Sequence, residues 1–145
     1  MADSFPCTVV TPTASLFDDE VLYASVPLED GLMGVQAGRQ PVLAPLGLGE
    51  LRVDFAGSGA GSRSYMIDGG IMQMSDEKLT ILAERAVPAE EINETDAAAE
   101  LAEAEARTVP SDAENPADEQ ARINHDRARA RLKIRLAKTT KRSGI

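Results

Sequence analysis

The sequence predicts a β domain followed by an α-helical hairpin: an all-β sandwich or barrel over residues 1–88 and two antiparallel helices over 89–145. Three observations predict it. Ten of the eleven glycines and all five Phe and Tyr residues lie before Pro88. Residues 89–145 are rich in Ala, Glu and Arg, which favour helix. The charge reverses along this second segment: residues 90–119 carry −10 and residues 120–145 carry +8. An acidic helix followed by a basic one suits an antiparallel pair.

The first segment has the grammar of strands, short apolar runs cut by turn residues. Cys7-Thr8-Val9-Val10 ends at Thr11-Pro12, and Val21–Val26 ends at Pro27. Glu29-Asp30-Gly31 predicts a turn, since Asp-Gly is a strong turn dipeptide. Pro41–Ala44 and the alternating Leu48–Phe55 follow, then the glycine-rich loop 57–62. Asp68-Gly69-Gly70 between Tyr65–Ile67 and Ile71–Met74 predicts a hairpin or a bulge. Leu79–Ala83 closes the series, for about eight or more short strands. In the second segment a first helix is expected over roughly 90–107, broken by Thr108-Val109-Pro110-Ser111. The next start is well marked: Asn115 caps, Pro116 fits the first helical position, and Asp118 and Glu119 sit in the first turn. This helix is expected to reach about Thr139. Ala128, Ala130, Leu132, Ile134 and Leu136 alternate with Arg and Lys, which is a strand period, but the residue types favour helix.

On the second helix Ala121, Ala128, Leu132 and Leu136 fall on one side. Ile123, Ala130, Ile134 and Ala137 fall nearly opposite. Two opposed stripes suit a helix that packs on its partner with one and on another protein with the other, whereas a plain surface helix shows one.

Composition excludes several functions. The chain has 145 residues, 43% of them apolar and 3% aromatic, and a net charge of −9. That balance argues against a whole-chain nucleic-acid or anionic-membrane binder. Cys7 is alone, so no disulfide scaffold exists, and one Cys with one His cannot make a four-ligand zinc site. No stretch approaches the length of a membrane helix, and the N-terminus lacks the features of a signal peptide. Counting alone leaves a Ser or Cys nucleophile open, but its base would be His125, set between Asn124 and Asp126 on a charged helix. Loop 57–62 lacks the Lys-Ser/Thr and helix that follow a phosphate-binding loop. Adjacent acids at Asp18-Asp19-Glu20 and Glu90-Glu91 point apart. Nothing assembles a nucleophile, a base and an oxyanion site, so the expectation is a protein without catalysis of its own.

The ordered motif set resembles the ε subunit of F-type ATP synthase over essentially the whole chain. Val9-Val10-Thr11-Pro12 resembles the family's first strand and turn. Val26-Pro27-Leu28-Glu29-Asp30-Gly31-Leu32-Met33-Gly34-Val35, Gly38–Ala44, Leu46–Arg52 and Gly69-Gly70-Ile71 with Leu79–Glu84 and Ala86 resemble its further segments. The resemblance implies a two-sheet β-sandwich at 1–88 that binds γ and the c-ring, and a regulatory hairpin at 89–145. It implies a central-stalk rotor subunit that couples c-ring rotation to ATP synthesis, peripheral on the cytoplasmic face of the inner membrane, without direct membrane insertion and without nucleic acid.

In the resembling segment Gly31, Leu32, Met33, Gly34, Gly38 and Arg39 would face the c-ring, with Arg39 where the family has His. The hairpin would reach the α and β subunits and inhibit ATP hydrolysis, with Arg122, Arg127, Arg129, Arg131, Lys133 and Arg135 as its basic strip. No cofactor is implied beyond regulatory ATP, bound in some members through Ile/Leu-Asp-x-x-Arg-Ala. Here Ile123, Arg127 and Ala128 match, while Asn124 replaces the acid, which leaves nucleotide binding open. The rival reading is a free β-sandwich adaptor whose basic helix binds nucleic acid.

Overall fold

Bent strands, more than strand count, shape the first half of the molecule. A computed structural model describes residues 3–57 and 61–142. The chain divides into two compact units, Met1–Pro88 and Ala89–Ile145. In the first unit six strands run as β1 (Phe5–Thr11), β2 (Ala14–Leu28), β3 (Gly31–Val35), β4 (Val42–Phe55), β5 (Ser62–Ser75) and β6 (Lys78–Pro88). They hydrogen-bond in the order β1-β6-β5-β4-β2-β3, and β1 also pairs with β2. The β1–β6 pair is parallel.

The core-facing residues explain how this single ladder makes two layers. In β5 Tyr65 and Ile67 face the core, then Met72 and Met74. The inward set is odd-numbered before Gly69-Gly70 and even-numbered after. In β4 the inward residues are Val42, Ala44 and Leu46, then Leu51 and Val53. In β2 they are Phe17 and Val21, then Ala24 and Val26. A period-2 strand changes its inward face where it bends out of one sheet into another or carries a bulge, and β2 shifts register between Val21 and Tyr23. Leu46, Gly70 and Ala83 pair side by side, so β4, β5 and β6 bend at one level. The first layer joins the early parts of β2, β6 and β4 to β1 and the late part of β5. The second joins β3 to the late parts of β2, β4 and β6 and the early part of β5.

The bend explains two departures from expectation. Four of the six strands run 11 to 15 residues, where the sequence reads as short runs. Asp68-Gly69-Gly70 makes neither hairpin nor bulge: the pairing register with β4 and β6 is the same before and after it. It is a kink. Gly70 has φ +123°, and a Cβ there would lie 2.1 Å from the Leu82 carbonyl oxygen. Only glycine serves at that approach. The Glu29-Asp30 turn forms as expected, with Leu28 paired to Gly31 across it. Ser58, Gly59 and Ala60 of the expected loop 57–62 lie outside the described residues.

Between the layers, Phe5, Val9, Leu51, Tyr65 and Ile81 are at most 1% exposed. Phe17 stacks edge-on against Phe55 at 5.2 Å and lies 5.6 Å from Tyr65. Four aromatic rings and the aliphatic side chains therefore supply the bulk that a Trp-free chain needs.

In the second unit a 3₁₀ turn, Ala89–Glu91, precedes α1 (Glu94–Ala106) and α2 (Pro116–Arg142). Helix α1 starts four residues later than expected because Asn93 caps it, its Oδ1 accepting from the Asp96 N–H at 3.0 Å. Asn115 caps α2: its carbonyl accepts from the Glu119 N–H and its side chain from the Asp118 N–H. The alternating segment 128–136 is helical. Buried positions recur every seven residues, at Ala97 and Ala104 on α1 and at Ile123, Ala130 and Ala137 on α2. A seven-residue step is the seam of a left-handed helix pair.

Candidate functional site

Three surfaces result. The first is β3 and the turn after it. Strand β3 ends the hydrogen-bond order, so one edge is open. Gly31 opens the strand with φ +131° and Leu32 beside it is 71% exposed. Gly34 lies under the Tyr23 ring, whose hydroxyl a Cβ there would meet at 2.6 Å. Gly38 has φ +85°, and the turn closes through an Arg39 N–H bond to the Gln36 carbonyl. Arg39 then reaches back along the strand, its Nη2 donating to Met33 Sδ at 3.6 Å. The structure thus brings Met33 and Arg39 into contact and leaves Leu32 projecting. Gly31 and Gly38 sit at opposite ends of the segment.

The second surface was not legible in the sequence. Across the outer face of the first layer, Val10 pairs with Leu82, Leu82 with Ile71, and Ile71 with Pro45. These four make one apolar row over four strands. The neighbouring row is Thr8, Thr80, Gln73 and Leu43, uncharged over the same four strands and bounded on β2 by Asp18, which accepts from the Thr8 hydroxyl at 2.9 Å. Ile71 is 47%, Leu82 49% and Leu43 68% exposed. Their outward direction follows from the kink at Gly69-Gly70 and from the neighbouring strands, which no run of residues reveals. The one usable signal was the break in alternation at the glycine pair.

The third surface is α2. Five of the six strip residues have a hydrogen-bond or ion-pair partner within the second unit. Arg122 pairs with Glu119, and Arg129 with Asp126. Arg131 pairs with Glu105 at 3.6 Å and Lys133 with Glu100 at 3.1 Å. Arg127 donates to the carbonyls of Ala104, Glu105 and Arg107, and so closes the C-terminal end of α1. Arg135 is exposed. Outside the strip, Lys138 lies 4.0 Å from Glu94. Asp126 also takes Arg107 at 2.6 Å, and that hydrogen bond holds its carboxyl below the usual range, with Arg129 adding to the effect.

The four residues of the nucleotide-motif comparison go different ways. Ile123 is buried, Arg127 turns to the α1 carbonyls, and Asn124 accepts from Gln120 at 3.0 Å. Ala128 is exposed. The two opposed stripes are unequal: Leu132, Leu136, Ala130 and Ala137 are buried, Ile134 is half-buried, and Ala121 and Ala128 are exposed.

Reactive groups are not gathered. Burial, with Asp18 adding to it, pushes the Cys7 thiol up to about 12, which leaves no thiolate for nucleophilic attack. His125 lies in the other unit, on α2. Among the described residues no three His, Cys, Asp or Glu side chains are grouped to hold a metal ion, and no helix is long and apolar enough to cross a membrane.

A folded sandwich with uncharged apolar rows on its surface is of the class that works as a subunit of a larger assembly. Residues 4–89 match the family model of the ATP synthase delta/epsilon chain, beta-sandwich domain. An ATP synthase epsilon chain of Rhodopirellula baltica is 38% identical over 101 residues, covering 70% of this chain and 77% of that one. One of Bacillus cytotoxicus is 31% identical over 131 residues, 90% of each chain. The fold is that of a chain in the Euglena gracilis mitochondrial ATP synthase, with a TM-score of 0.66 over 98% of this chain and 82% of that one, at 23% identity. A chain in the central stalk and c-ring structure of Tetrahymena thermophila ATP synthase scores 0.62 over 91% of this chain and 95% of that one, at 16% identity. The chain belongs to the epsilon chains of ATP synthase. The free-adaptor reading is not favoured.

Proposed function

We propose that this chain is a non-catalytic rotor subunit of the central stalk, which couples c-ring rotation to ATP synthesis by rigid contact. The observation that carries the reading is the pair of uncharged rows on the first layer, in a chain whose net charge is −9. An exposed apolar face of this kind marks an interaction surface. The γ subunit is its occupant in this reading, because a rotor part must stay fixed to the shaft through every turn. The c-ring meets the β3 edge at Leu32, Met33 and Arg39, with Gly31, Gly34 and Gly38 shaping the segment. The complex stands on the cytoplasmic face of the inner membrane, and the chain is held there by its partners. The α2 strip docks on acidic surfaces of the α and β subunits and restrains hydrolysis.

The test is ATP hydrolysis by the cognate αβγ complex with no addition, with the full chain, and with a chain ending at Pro88. Both forms are expected to bind, and only the full chain to slow hydrolysis. Binding by neither form sinks the rotor reading; equal rates with both remove the inhibitory arm alone. Leu82→Arg with Ile71→Arg is expected to abolish γ binding by a folded chain.

A further inference from the structure

The uncharged rows on the first layer are too small to be a whole interface. Two rows over four strands measure about 19 by 14 Å, on the order of 270 Å², from the usual strand spacing and rise. A specific partner of ordinary size covers about 800 Å² on each side. The contact therefore runs over the rim of the rows, and on the β2 side that rim is acidic. Asp18 continues the row of Thr8, Thr80, Gln73 and Leu43, and Glu20 stands beside Pro6 two residues further along. Both point outward, because Phe17 and Val21 of the same strand segment face the core. Asp18, Asp19 and Glu20 are all exposed. Among the described residues no ion pair involves any of the three. Lys78 opens β6 at the same end of the face, directly after Asp76 and Glu77 in the β5–β6 turn, so that end stays negative. Asp19 and Glu20, with Phe55, Ala56 and Arg63, also line an open cleft of about 510 Å³.

We propose that Asp18 and Glu20 form the charged margin of this docking face, and that the γ surface they meet is apolar in its middle with Lys or Arg side chains along one side. The proposal rests on the reading that γ covers the rows, and adds the chemistry of that cover. Val10, Leu82, Ile71 and Pro45 alone accept an apolar surface in more than one orientation. A charged margin on one side removes that freedom. The reversed orientation sets both carboxylates against apolar surface, desolvated and unpaired. No internal ion pair has to break before a base of the partner approaches them. A long basic side chain that enters the cleft finds the Asp19 and Glu20 carboxylates beside the Phe55 ring, a setting that suits a cation. Arg63, which lies over the Tyr65 ring at 5.3 Å, offsets one of those two charges. A second copy of this chain is a poorer occupant, since it brings the same acids and a net charge of −9. Charge on a rim acts mainly on the rate of encounter and on its dependence on salt.

The test measures association and dissociation rates of the full chain with the cognate αβγ complex, over a range of salt concentrations. Four chains are compared with the natural one: Asp18→Asn with Glu20→Gln, Asp18→Lys with Glu20→Lys, Leu82→Arg with Ile71→Arg, and Asp112→Asn with Glu114→Gln. The last removes the same charge from the segment between the two helices. Near-ultraviolet tyrosine signals check that each is folded, and Asp18→Asn keeps an acceptor for the Thr8 hydroxyl. The neutralised chain is expected to associate about 3- to 10-fold more slowly at low salt, with a flatter salt dependence and little change in dissociation. The Lys pair should associate more slowly still, and its rate should rise with salt. The Asp112 and Glu114 variant should match the natural chain. If the neutralised chain keeps the natural rate and salt dependence while Leu82→Arg with Ile71→Arg abolishes binding, the proposal is overturned and γ still covers the rows. If Leu82→Arg with Ile71→Arg binds as the natural chain does, γ docks elsewhere and both readings fall. An equal slowing by Asp112→Asn with Glu114→Gln also overturns the proposal, since net charge alone then sets the rate. So does a dimer of the free chain, seen in sedimentation, that Leu82→Arg with Ile71→Arg disperses.

Discussion

The two units hold themselves together by different physics. The sandwich packs Val, Ile, Leu, Met and four aromatic rings between two bent layers, and among the described residues Asp68 is its one buried charge. The hairpin buries alanines with only Ile123, Leu132 and Leu136 as larger side chains among the described residues, and sets ion pairs along its flanks. Large side chains that interlock lose much when one is truncated, and their loss is little affected by salt. Small side chains and exposed ion pairs lose little singly and yield to salt. The difference makes the hairpin the unit whose hold is more sensitive to salt.

The largest test of this contrast is Leu51→Ala, fully buried in the sandwich. It should cost about 3–5 kcal/mol in chemical denaturation followed by near-ultraviolet tyrosine signals. A cost below about 1 kcal/mol would mean that the sandwich is as loosely held as the hairpin. Gly70→Ala comes next, at about 2–3 kcal/mol, because it forces a side chain to a positive φ against the Leu82 carbonyl. On the hairpin side, Arg127→Gln should cost about 1–2 kcal/mol, since it leaves two α1 carbonyls and that of Arg107 just after the helix without their charged donor. Faster amide exchange at the end of α1, with the sandwich unchanged, is the expected signature. An equal loss in the sandwich amides would contradict separate stabilisation. Asn115→Ala should remove about 1 kcal/mol through the α2 cap, read as lost helicity at 222 nm.

The smallest effect concerns acid. The carboxyl of Asp126 is lowered in the folded chain, first by the Arg107 hydrogen bond. A lowered folded value gives stability that is present above the ordinary aspartate value of about 3.9 and lost as pH falls below it. Arg107→Gln should therefore bring the Asp126 titration, followed by carboxyl NMR, back toward that ordinary value. A titration that does not move would show the Arg107 contact to be dispensable.

Local chemistry wrote much of this protein where it can be read. The composition shift at Pro88 marks the boundary that the contacts also draw, because glycine and aromatic residues suit turns and sheets while Ala, Glu and Arg suit helices. Asn115-Pro116 marks the start of α2 because capping depends on four consecutive residues. The Glu29-Asp30 turn depends on as few. The motif order led to the family because those residues sit at turns and kinks that only certain side chains tolerate.

Tertiary structure decided what depends on neighbours far along the chain. Leu82 reads as part of a core run, yet the pairing of β6 with β1 and β5 turns it outward beside Val10 and Ile71. The direction of a strand residue is set by which layer its half-strand joins, and a kink at Gly69-Gly70 reverses it. Arg127 matches a nucleotide motif by spacing, while its guanidinium lies against the end of α1, twenty or more residues away in sequence. Charge and periodicity told which helix is acidic and which basic. Only the antiparallel register told that Glu94, Glu100 and Glu105 stand opposite the bases of α2, because Coulomb attraction depends on distance in space and the sequence records distance along the chain.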